Sequence, residues 1–153
     1  MKKVYQTIVD NKSGNCMQAV IASLFELALE EVPPFIEYGE RWYEVFYQFL
    51  KGRNYEFAYF NKGKNETMDF MRKLATFDGG INGYFYGVVA SQTFPGGEHA
   101  VVIDKDLNIV HDPNPNQKAL LLRPDDVLGF YITSHLVITE DREILTYEEY
   151  CKR

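Results

Sequence analysis

The sequence predicts an α+β fold in a single domain, residues 1–153, and three observations predict it. Apolar positions recur at three- and four-residue steps through the first half of the chain. Short β-branched and aromatic runs, separated by Gly, Pro, Asn and Asp, fill the second half. The length of 153 residues suits one core of ordinary size and leaves no room for a second. Helices first and strands later predict an antiparallel sheet with the helices packed against one of its faces.

The elements follow in order. Residues 4–9, VYQTIV, read as a short edge strand, and DNKSG after them carries turn chemistry. From about residue 15 to 28, Met17, Val20, Ile21, Leu24, Phe25 and Ala28 form one wide apolar stripe. Pro33 ends that helix, because proline disfavours helical geometry in the residue before it. Trp42, Val45, Phe46, Phe49 and Leu50 share a face of a second helix, with Gly52 placed to stop it. YEFAYF is a strand. Asn65 caps a third, shorter helix carrying Met68, Met71, Leu74 and Ala75, which DGGING terminates. YFYGVVAS, HAVVID, LNIVHD, LGFYIT and HLVIT are the remaining strands. The acidic run TEDREILTYEEYCKR reads as a solvated tail or last helix, with Cys151 an exposed thiol.

Composition narrows the function classes. Apolar residues make up 46% and charged residues 25%, a globular balance. A formal charge of -6 with no Lys/Arg cluster argues against nucleic acid and anionic membranes as partners. No apolar run is long enough for a signal peptide or a membrane span, so a cytoplasmic location is expected. The two cysteines are too sparse for a disulfide scaffold, which fits a reducing compartment. Eleven Tyr, eleven Phe and one Trp exceed what one small core hides, so some should line a pocket or a partner surface.

The stretch SGNCMQAVIASLFEL places Cys16 at the head of the first helix, where orphan backbone N–H groups and the positive end of the helix dipole favour a thiolate. The alternative is a small buried core residue. The stretch GGEHAVVIDKDLNIVHDPNP bears on the choice. It reads as two strands joined by a two-residue turn over Lys105 and Asp106, a register that sets His99 opposite Asp112 on one face. A loop of odd length would send Asp112 to the other face. His111 then points away from His99 and reads as a sheet-surface or supporting histidine, and His135 as structural. A carboxylate beside an imidazole fixes its tautomer and stabilises the imidazolium, as a Cys-His pair requires. Cys16, His99, His111 and Asp112 lack CxxC or HxxxH spacing, so neither a metal nor any other cofactor is expected. GGING and PGGEH open no helix in the dinucleotide-binding arrangement and read as loops. Gly96 and Gly97 could let a loop beside His99 move or a substrate backbone approach closely.

GNCMQAVIASLFEL followed much later by HAVVIDKDLNIVHDPNP resembles the papain-like cysteine peptidase superfamily, in particular the bacterial double-glycine leader peptidase branch. With LFELALEEVPPF and the HAVV…HDP segment, the chain is also similar to small uncharacterised proteins of bacteria and bacteriophages, which implies a host cytoplasm if phage-encoded. The resemblance implies Cys16 as nucleophile, His99 as general base and acid, and Asp112 as the residue orienting the imidazole. Where the family keeps its oxyanion glutamine stands Asp10, a carboxylate. Gln6 is then the oxyanion candidate, with Asn15 and Asn11 as substitutes. The implied activity is that of a thiol hydrolase or acyltransferase on an amide, isopeptide or ester bond of a protein or peptide substrate. The alternative is a catalytically silent scaffold acting as a binding or inhibitor protein.

Overall fold

The structure is a computed structural model that describes residues 1–10, 14–62 and 67–135. Asn11, Asn65, the HLVIT stretch beyond His135 and the acidic C-terminal run with Cys151 lie outside the described residues. The fold is α+β. Among the described residues three α-helices, α1 (Cys16–Phe25), α2 (Trp42–Gly52) and α3 (Met68–Asp78), accompany a five-stranded sheet. Its strands are β1 (Tyr55–Asn61), β2 (Tyr84–Ala90), β3 (Glu98–Asp104), β4 (Ile109–His111) and β5 (Val127–His135). They lie in the order β1-β5-β2-β3-β4, and every neighbouring pair is antiparallel. Among the described residues no helix is long and apolar enough to cross a membrane.

Helix α1 is shorter than its apolar stripe. Glu26 turns left-handed (φ 57°), its N–H bonds the carbonyls of Ala22 and Ser23, and the Leu27 N–H also returns to Ala22, so the helix closes at Phe25. Ala28 lies beyond the helix, and Pro33 follows a separate 3₁₀ turn, Leu29–Glu31, instead of stopping α1. The buried Gln18 holds that turn by donating to the carbonyls of Leu29 and Val32, both at 2.9 Å. On α3 the cap is Thr67, whose hydroxyl accepts from the Phe70 N–H, and Gly79 ends the helix left-handed.

The helices do not share one face of the sheet. Helices α1 and α2 bury Val20, Ile21, Leu24, Phe46 and Leu50 against Tyr86, Val88, Ala100, Val102 and Tyr131. Helix α3, the connection from β1 to β2, instead lays Met71 and Ala75 on the other face, against Phe85, Val89, Val101, Ile103 and Phe130. Central strands β2 and β3 are therefore covered on both sides, and each large apolar side chain so buried contributes about 1.5–3 kcal/mol. Phe46, fully buried, joins the rings of Phe35, Phe57, Tyr86 and Tyr131 into one cluster. LGFYIT does not end as a separate strand but continues within β5 as far as His135.

The β3–β4 turn departs from the expected two-residue loop. The Leu107 N–H bonds the Asp104 carbonyl, and Leu107 then turns left-handed (φ 64°). The Asp104 carboxylate accepts from the N–H groups of Asp106 and Asn108, and the Asp104 N–H closes on the Asn108 carbonyl. This is a type I turn followed by a left-handed residue, a three-residue loop. It pairs Ile103 with Ile109, and on that register alone Asp112 would fall on the face away from His99. A bulge corrects it: the next pair is Val102 with His111, one residue having been gained. His111 then faces the Val102 side, and Asp112 returns to the side of Val101 and His99.

Residues 4–9 form no strand. The Val4 N–H is taken by the Ser23 hydroxyl, the Val4 carbonyl by His111, the Gln6 N–H by the Pro113 carbonyl, and the Thr7 and Ile8 N–H groups by Asn15. Side chains and single carbonyls satisfy the backbone that a sheet ladder would otherwise satisfy. The result is an arm strapped across the start of α1 and the end of β4.

Candidate active site

The arm positions the head of α1. Asn15, buried just before the helix, accepts from the Thr7 and Ile8 N–H groups at 3.0 and 2.9 Å and donates to the Thr7 hydroxyl. Gly14 lies so close to the arm that a Cβ would sit 2.7 Å from the Asp10 carbonyl oxygen. Cys16, the first residue of α1, is thereby fixed as a free, partly exposed thiol. Replacing Asn15 with Ala strands two N–H acceptor needs and is expected to lower stability by about 2 kcal/mol. Urea unfolding checks this; an unchanged midpoint would mean the arm does not depend on that clamp.

Strand β3 and the turn after β4 bring the other two groups. His99 Nε2–H donates to Asp112 Oδ1 at 2.6 Å, which leaves Nδ1 as the ring nitrogen not taken by Asp112, and Cys16 lines the same cleft. Asp112, almost fully buried, also accepts from the Asn114 N–H on Oδ1 and the Ala119 N–H on Oδ2, both at 2.9 Å. The segment from Asp112 to Lys118 is built of repeated Asx turns. Asp112 accepts from the N–H of Asn114, Asn114 from that of Asn116, and Asn116 from that of Lys118, before Ala119 folds back to Asp112.

These contacts set the protonation states. Burial pushes the Cys16 thiol pKa up, but the hydrogen bond and positive charge of His99, with the backbone around Ala100 and Met17, outweigh it and bring the pKa below 9.0. Burial alone would lower the His99 pKa. The bond to Asp112, and then the bond and charge of Cys16, raise it from 6.5 to about 9. For Asp112, burial is again overcome, by His99 and the two backbone N–H groups, and its carboxyl ionises more readily than usual. All three directions favour the thiolate–imidazolium pair, steadied by a carboxylate, over the neutral thiol and imidazole.

No protein-family model, characterised protein or solved structure matches the chain.

The three groups open on a cleft of about 140 Å³, walled by the arm at Val9 and Asp10 and by the β2–β3 loop at Ser91–Phe94, with Ile36 at its rim. Gln6 lines it but is turned inward: Nε2 donates to the Ile8 carbonyl at 2.8 Å, and Oε1 is buried without a partner. Asn15 is engaged with the arm and does not line the cleft, whereas Asp10 does. His111 is buried, not on the sheet surface. Its Nε2–H donates to the Val4 carbonyl at 2.7 Å, the Tyr5 ring meets it edge-on, and burial lowers its pKa. Among the described residues no three His, Cys, Asp or Glu gather as a metal-holding group. The roles of Asn114 and Ala119 in gripping Asp112 were not foreseen; the spacing of Asp and Asn in DPNPNQK is the signal that carried them.

Proposed function

We propose that this chain is a papain-like thiol hydrolase or acyltransferase acting on an amide, isopeptide or ester carbonyl of a protein or peptide substrate. The observation that carries the reading is the 2.6 Å bond from His99 to the buried Asp112, with Cys16 and His99 lining one cleft. In this reading the Cys16 thiolate attacks the carbonyl carbon. The developing oxyanion is met by backbone N–H at the head of α1, and the His99 imidazolium gives its proton to the leaving nitrogen or oxygen. His99, now neutral, takes a proton from water or an acceptor amine as it attacks the thioester, and Cys16 leaves as the thiolate. Asp112 keeps the ring oriented throughout.

The reading is tested by iodoacetamide labelling of Cys16 against pH, followed by intact-protein mass spectrometry in a Cys151→Ser background, with and without His99→Ala. Rapid labelling that persists below about pH 7 and collapses without His99 is expected of the ion pair. Labelling only near the ordinary thiol pKa would overturn it. A second reading, a catalytically silent papain-like scaffold that binds or inhibits a partner, draws support from one feature, the Gln6 amide engaged with Ile8 instead of facing an oxyanion.

A further inference from the structure

Strand alternation turns Glu98, the neighbour of His99, toward the sheet face that α1 and α2 cover. Glu98 is exposed, lines the cleft, and pairs with no cation among the described residues. On that face Tyr59, Tyr131 and Tyr86 form a row across the sheet, with ring centroids 5.1 and 4.9 Å apart. Gly129 makes room for it. A Cβ there would lie 2.5 Å from the Tyr59 hydroxyl, so the ring can lie over the strand, and it stays 41% exposed. Burial first, and then the Glu98 carboxylate, hold the Tyr59 phenol neutral; the same carboxylate acts on Tyr86 and Tyr131, and Cys16 also acts on Tyr86. Glu98, the tyrosine row and the nucleophile therefore share one neighbourhood.

The Glu98 carboxylate accepts only, so it is complemented by N–H donors, and a row of aromatic rings in the same neighbourhood adds attraction for positive charge. Building on the acyl-transfer reading above, we infer that the cleft selects a substrate with a cationic, N–H-bearing side chain of the lysine or arginine class, held by Glu98 beside the tyrosine row.

The test uses thiol reagents matched in size and differing in charge: the 2-aminoethyl, 2-sulfonatoethyl and methyl methanethiosulfonates, applied to the full chain carrying Cys151→Ser. Each charged-reagent rate at Cys16 is divided by the neutral-reagent rate of the same variant. The cation-over-anion ratio is expected to exceed that of free N-acetylcysteine amide by on the order of tenfold at low salt, and to shrink as salt is added. It should drop severalfold in Glu98→Gln and reverse in Glu98→Lys. A ratio equal to that of the free thiol, or one that neither substitution moves, would overturn the inference. The neutral reagent's pH profile reports separately on the thiolate, so loss of the acyl-transfer reading and loss of this specificity are read from different curves.

Discussion

Replacing Asp112 with Asn is expected to cut the rate of Cys16 alkylation below pH 7, and any acyl-transfer rate, by about 10²-fold or more. The carboxylate accepts from the His99 ring, the Asn114 N–H and the Ala119 N–H, and a carboxamide cannot serve all three. If the Asn oxygen faces His99, the amide N–H₂ meets the Ala119 N–H, donor against donor, in a buried site. If it faces Ala119, the N–H₂ forces Nε2 to accept. The His99 proton then sits on Nδ1 toward Cys16, and the neutral ring cannot act as a base there. Either arrangement removes the carboxylate's support for the imidazolium, and the His99 pKa should fall from about 9 toward the ordinary 6.5. The measurement is the pH–rate profile of alkylation alongside urea unfolding. A profile that keeps its wild-type shape in a folded Asp112→Asn protein would remove Asp112 from the mechanism.

How much of this was legible in the sequence depends on the residue. The head of α1 and the strands around His99 and Asp112 were readable because helix periodicity and β-branched runs are local signals. The convergence of His99 and Asp112 was expected from a two-residue turn, which is not the turn present. Leu107 in a left-handed conformation gives the three-residue loop, and the bulge before His111 restores the face. A left-handed Leu has no sequence signature, since its side chain holds that conformation through burial in the core. The two-sided sheet was legible in principle: YFYGVVA and HAVVID are nearly continuous apolar runs, the pattern of strands buried on both faces, and α3 had to cover one of them. The arm was not legible as an arm. VYQTIV has strand propensity, but its partners are Ser23, His111, Asn15 and Pro113, scattered along the chain and visible only once folded.

An equilibrium experiment should separate a thiolate at Cys16 from a buried thiol without any substrate. His99 has a folded pKa, about 9, above its unfolded value near 6.5. Alone it contributes stability that is complete below about pH 6.5 and lost as pH rises toward 9. Cys16 has a folded pKa below its unfolded one, so its contribution is present above the ordinary thiol pKa and lost as pH falls through the folded value. With Cys16 held as the thiolate, the two cancel between about pH 6.5 and 8.5. The folded pair holds one proton, on His99; the unfolded chain also holds one, on the Cys16 thiol, and with equal proton counts this pair adds no pH dependence. Cys16→Ala removes the cancellation. The folded variant still has the bond to Asp112, the largest single contribution to the raised His99 pKa, to hold a proton on the ring, while the unfolded variant carries none. Its stability should fall by up to about 1.4 kcal/mol per pH unit above pH 6.5. Below that pH both proteins should weaken, because buried His111, with its pKa lowered by burial and by Lys3 nearby, resists the proton that the unfolded chain accepts. The wild type should weaken more steeply, because its folded pair holds one proton where the unfolded chain then holds two. Urea unfolding at half-unit steps from pH 5.5 to 8.5 reads both windows. A wild-type curve that slopes with the variant's above pH 6.5 would mean that the folded protein keeps Cys16 as a thiol, and the proposed nucleophile would be a packed side chain.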